Sequence, residues 1–80
     1  MKLTSIQVKK IREVYGLTLV EMSSLMGVTD AHLCNIENGK RRLTDRLILR
    51  LKRELELTEK KLDRIMSIHS EFQLEADIES

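Results

Sequence analysis

Residues 18–39, TLVEMSSLMGVTDAHLCNIENG, constrain the fold more than any other part of the chain. They read as two short helices joined by a tight turn. Thr18 and Glu21 have the spacing of a capping box, in which each side chain satisfies an orphan backbone N–H. Met22, Leu25 and Met26 form the inward face of the first helix, and Gly27 ends it by tolerating positive φ. Thr29 caps the second helix, with Asp30 suiting its positive end. Leu33 and Ile36 face inward with Val28 from the turn. Gly39 stops the helix, and three cations follow: Lys40, Arg41 and Arg42.

The flanking sequence extends the same pattern. Thr4 and Gln7 form a second capping-box pair before Ile6, Val8, Ile11, Val14 and Tyr15, which lie at roughly helical spacing, and Gly16 supplies a stop. A fourth helix is expected from Thr44 and Asp45, with Leu47, Ile48, Leu51 and Leu55 buried and Arg46, Arg50, Lys52 and Arg53 on a solvated face. A fifth follows Thr58 and Glu59. In it Leu62, Ile65, Met66, His69, Phe72, Gln73 and Ala76 keep a three–four spacing, with Asp77 to Ser80 expected to fray. Proline is absent and no alternating pattern supports a sheet. The expected fold class is all-α, a compact five-helix domain with an extended C-terminal helix.

An 80-residue chain has a thin core, which makes self-association a natural source of stability. Tyr15 and Phe72 are the only aromatics, too few for a base-stacking platform. The net charge of +1 conceals an asymmetry: residues 1–66 carry a formal +5 and residues 67–80 carry −4. A basic body is expected if the partner is a polyanion, with the acidic end turned away from it. The lone Cys34 reads as a small, partly buried residue in a reducing compartment. No signal-peptide pattern and no apolar run of spanning length is present, so a cytoplasmic protein without membrane contact is expected. His32, Cys34 and His69 match no zinc spacing, so neither metal nor cofactor is expected. No nucleophile–base pair, phosphate-binding glycine loop or carboxylate pair suggests an enzyme.

Residues 6–66 resemble the lambda-repressor-like, Cro/XRE-type helix-turn-helix family. The resemblance rests on Leu17-Thr18, Glu21-Met22, Gly27-Val28-Thr29, Leu33 and Ile36-Glu37-Asn38-Gly39-Lys40, and the run IENGKRR is especially typical. It implies a DNA-binding domain over residues 1–66 and an acidic helical extension over 67–80. In the docking geometry of that family, the third helix lies in the major groove of double-stranded DNA. Thr29, Asp30, Ala31, His32 and Asn35 are then the candidate base readers. Asn35 suits adenine, Asp30 a cytosine amino group, Ala31 a thymine methyl and His32 guanine or phosphate. Thr29 is equally suited to act only as a cap, and Asp30 only as a dipole-complementing acid. Thr18, Asn38, Lys40, Arg41, Arg42 and Arg46 are the candidate phosphate contacts, aided by free N–H groups at the starts of helices 2 and 4. Leu19 departs from the family, which often has a polar residue there. The resemblance also implies an ion pair, Arg12 with Glu37, holding the third helix at its angle.

Because one recognition helix covers about half a site, a homodimer reading a palindrome is expected. Leu62, Ile65, Met66, His69 and Phe72 are the expected seam, with acid able to charge His69 and loosen it. The alternative is that Phe72 folds back onto its own helical body. The function this implies is a small, sequence-specific transcriptional repressor of Cro or prophage type. Two other readings stay open: an antitoxin that represses its own operon and binds a second small protein, and a protein-interaction adaptor on the same fold.

Overall fold

The computed structural model describes residues 2–79, with side-chain environments through residue 72. Five α-helices run in order: α1 (Ser5–Val14), α2 (Leu19–Met26), α3 (Asp30–Glu37), α4 (Asp45–Glu54) and α5 (Glu59–Glu79). There is no strand among the described residues. Helix α1 packs against α3 and α5, and α2 packs against α3 and α4. The helix-turn-helix pair is thus braced on one side by α1 and on the other by α4. The α5 helix is described to Glu79, and the expected fraying of Asp77 to Ser80 falls outside the description. The expectations placed on the side chains of Gln73, Glu75, Ala76, Asp77 and Glu79, and on Ser80, lie outside the described residues.

Every helix starts the same way. Thr4, Thr18, Thr29, Thr44 and Thr58 each accept a hydrogen bond at Oγ1 from the backbone N–H three residues on, at 3.1–3.3 Å. Each threonine follows an aliphatic residue: Leu3, Leu17, Val28, Leu43 or Leu57. Leu3 and Leu57 are buried, and the other three pack on the core from its rim. The cap thus fixes where a helix begins, and the residue before it pins the incoming chain to the interior. Thr4 with Gln7 and Thr18 with Glu21 complete reciprocal capping boxes. The Thr18 N–H, followed by its hydroxyl, holds the Glu21 carboxyl below the usual carboxylate range.

The core comprises Leu3, Val8, Ile11, Met22, Met26, Leu33, Ile48, Leu51, Leu57, Leu62 and Ile65. Ile6, in the helical run with Val8 and Ile11, is exposed, whereas Leu3 just before the helix is buried. Leu25, Leu47 and Leu55 are half-buried.

The turn after α4 is the unusual one. The Leu57 N–H donates to the Lys52 carbonyl and the Glu56 N–H to the Arg53 carbonyl, the double bond that closes a Schellman cap. That geometry needs a left-handed residue, and Glu56 supplies it at φ 51° where the other three interhelix turns use glycine. The Lys61 ammonium also donates to the Leu55 carbonyl at 2.8 Å, satisfying a carbonyl the helix leaves open. A side chain with a Cβ is strained at this φ, and glycine relieves the strain at some entropic cost. Glu56→Gly is therefore expected to raise the unfolding free energy by up to about 1 kcal/mol. Urea denaturation would measure this, and a loss of stability would contradict the strain.

Candidate nucleic-acid interface

The α2–α3 turn sets the pose of the third helix. Gly27 sits at φ 73°, and the Arg50 guanidinium from α4 lies directly over it. Arg50 Nε donates to the Leu25 carbonyl at 2.9 Å, capping the end of α2 from 25 residues away. A Cβ on Gly27 would come within 2.7 Å of Arg50 Cζ, so only glycine leaves room for this clamp. Arg50 is exposed, as expected of a solvated face, and its guanidinium is also a structural ligand of the turn, a role no local pattern around residue 50 announces.

From the other side, Arg12 of α1 grips the end of α3. Its Nε donates to Glu37 Oε2 at 2.8 Å and its Nη2 to Glu37 Oε1 at 3.0 Å, while Nη1 reaches the Leu17 carbonyl at 3.2 Å. The Glu37 side chain is 4% exposed and that of Arg12 18%. The hydrogen bonds it donates to Glu37 push the Arg12 guanidinium pKa up. A two-pronged pair with this little solvent fixes direction as well as distance.

Leu33 and Ile36 anchor α3 inward with no solvent exposure. The opposite side leaves Thr29, Asp30 and Ala31 exposed and His32 and Asn35 half-buried. Two of these expected readers have internal work. Thr29 Oγ1 accepts from the His32 N–H at 3.1 Å, and Asp30 Oδ1 accepts from the Ala31 N–H at 2.9 Å. His32 lines a recess with Val28, Thr44, Arg46, Leu47 and Arg50, which brings the start of α3 beside the start of α4.

At the far end, the Asn35 carbonyl accepts from the Lys40 N–H at 2.8 Å and the Arg41 N–H at 3.2 Å. The basic run is thereby tied by its backbone to α3, while Lys40, Arg41 and Arg42 stay exposed. Arg46 is exposed on α4 as well. Asn38 caps α3 through its backbone, and its side-chain amide donates to Cys34 Sγ at 3.5 Å. At α2, the Thr18 N–H is taken by Glu21 Oε1 at 2.9 Å. This is the capping box that the Thr18–Glu21 spacing predicts; it leaves this amide already paired and places a carboxylate beside it.

A family model for helix-turn-helix domains matches residues 8–66. The chain belongs to the Cro/C1-type helix-turn-helix family. Searches of curated proteins and of solved structures returned no match. The matched span runs from the middle of α1 into α5 and includes every side chain of the clamps and outward surface just described. Helix-turn-helix proteins of this type are DNA-binding transcriptional regulators and not enzymes, so double-stranded DNA is the partner class for this chain. Among the described residues, no helix is long and apolar enough to cross a membrane, and no cluster of His, Cys, Asp or Glu is placed to hold a metal ion.

The expected seam on α5 needs correction. Leu62 and Ile65 are buried in the chain's own core against α1, so they have no surface left for a partner. Met66 is half-buried on the rim of that core. His69 points at α1, with Nε2 3.6 Å from Glu13 Oε2. Phe72 does not fold away, being 65% exposed.

Proposed function

We propose that this helix-turn-helix protein is a sequence-specific repressor that binds a palindromic operator as a homodimer and occludes a promoter. The observation that carries this reading is the continuity of the outward side of α3 with the exposed cations Lys40, Arg41 and Arg42. Base-reading groups and phosphate-binding groups then lie along one helix and its exit. In this reading Ala31, His32 and Asn35 meet base edges, and Asp30 reads with its remaining acceptor capacity. Lys40, Arg41, Arg42 and Arg46 bind phosphates and supply affinity without sequence preference. Thr18 and Asn38 contribute hydroxyl and amide donors at the margins. Arg12 with Glu37, and Arg50 over Gly27, act only by holding α3 in place. A twofold dimer places two α3 helices about one DNA turn apart, which matches a palindrome.

Selection of bound duplexes from a random pool tests the reading. A symmetric consensus with half-sites about one turn apart is expected. Asn35→Ala is expected to cost about 1–3 kcal/mol on that consensus and to relax preference at one position per half-site. A pool that never enriches would overturn sequence-specific binding.

A further inference from the structure

We propose that the open groove between the end of α1 and the start of α5 is a binding site for a small amphipathic anion, a carboxylate carried on an apolar tail. The groove shares no residue with the nucleic-acid interface, and the proposal goes beyond the DNA-binding reading.

Val14 and Tyr15 of α1 and Ile65 and Ile68 of α5 line a groove of about 590 Å³. Small-ligand sites have volumes of this order, with mainly apolar walls and a few polar groups that fix orientation. Ile65 is buried, and Val14 and Ile68 are half-buried. These three side chains give the groove an aliphatic floor, and Tyr15 adds an exposed aromatic wall.

The polar lining divides into two sets. Thr58 and Lys61 already have work inside the fold. Thr58 Oγ1 accepts from the Lys61 N–H at 3.1 Å, and the Lys61 ammonium donates to the Leu55 carbonyl at 2.8 Å. These bonds fix the first turn of α5, so the groove is formed before a ligand arrives. Lys60 and Arg64, one turn apart on α5, are exposed and line the same groove. The ion pairs among the described residues join Arg12 to Glu37 and His69 to Glu13, and neither Lys60 nor Arg64 takes part. Among the described residues, no acid lines the groove.

This pairing of surfaces selects a class of occupant. A phosphodiester backbone would meet the two cations and leave the aliphatic floor uncovered. A neutral hydrocarbon would cover the floor and leave the cations unanswered. A carboxylate on an apolar tail satisfies both: its head accepts from Lys60 and Arg64, and its tail removes the floor from water. The positive end of the α5 dipole favours the same sign of charge.

Tyr15 supplies the readout. It is the chain's single tyrosine and tryptophan is absent, so the ultraviolet emission of the whole protein reports on this groove. Titration of the full chain with hexanoate, octanoate and decanoate tests the proposal, with circular dichroism to show that the chain and its variants stay folded. A saturable change in Tyr15 emission is expected, tightening roughly tenfold for each two methylenes added. Decan-1-ol, which lacks the charge, is expected to bind about tenfold more weakly than decanoate. K60Q/R64Q is expected to weaken decanoate about tenfold and to leave decan-1-ol unchanged, a split that a merely structural role of the two cations would not produce. Decanoate and decan-1-ol that bind alike, or no saturation with any of the acids, would overturn the proposal. Emission that shifts with protein concentration alone and ignores decanoate would give the groove to a second copy. Emission that shifts with a random-sequence duplex and ignores decanoate would give it to nucleic acid. Either result would also overturn the proposal.

Discussion

Arg12→Ala is expected to lower the unfolding free energy by about 3 kcal/mol. For a chain of this size that corresponds to a fall in Tm of roughly 15 °C. The reason lies in what remains. Glu37 is almost wholly enclosed and would lose both prongs of the guanidinium, while the Leu17 carbonyl would lose the Arg12 Nη1 donor. An exposed ion pair would contribute roughly 0–1 kcal/mol, and the larger figure applies because the surviving carboxylate cannot recover its hydration. Replacing both partners by apolar residues, as in Arg12→Met with Glu37→Leu, is expected to restore most of the stability, since no charge is stranded. Thermal and urea denaturation of the two variants measure the difference. A loss under about 0.5 kcal/mol for the single variant would place the pair with ordinary surface contacts. The double variant isolates the orienting role in the proposed function: with folding restored, any remaining deficit in DNA affinity comes from the angle of α3.

The second large effect concerns affinity. Replacing Lys40, Arg41 and Arg42 together by alanine is expected to weaken binding to any duplex by roughly 10²–10³-fold near physiological salt, and to reduce the slope of log K against log salt by up to about 3 per chain. The fold should be untouched. The backbone bonds from Lys40 and Arg41 to the Asn35 carbonyl need no side chain, and all three cations are exposed. The pattern of preferred bases should also survive, because cations of this kind bind phosphate and read no sequence. Titrations at several salt concentrations separate the outcomes. An unchanged slope would remove the basic run from the phosphate-binding surface.

The helices were legible because each carries its own start signal. A threonine accepting from the amide three residues on is a local event, so Thr4, Thr18, Thr29, Thr44 and Thr58 could be read without knowing what packs where. Burial was less legible. Spacing shows which residues share a side of a helix but not where its neighbours end: Ile6 keeps the helical spacing of Val8 and Ile11 yet is exposed, while Leu3 before the helix is buried. The same gap explains α5. The three–four stripe through Leu62 and Ile65 is real, but the chain's own core, with α1 packed on α5, already covers it. Arg50 and Lys61 were invisible for another reason. Each satisfies a carbonyl at the end of a helix other than its own, and only the assembled fold shows which carbonyls are left open. Within the candidate site, the Arg12–Glu37 pair could be anticipated from family resemblance, and the Glu21 carboxylate on the Thr18 amide from the capping-box spacing.

The way α3 is mounted has an evolutionary consequence. Leu33 and Ile36 are its buried side chains and Glu37 is held by Arg12, whereas Asp30, Ala31, His32 and Asn35 stand outside the hydrophobic core. The two sets interleave along the helix without sharing a residue. Descendants of this gene could therefore drift to new target sites by exchanging the second set, one codon at a time, while every intermediate stayed folded.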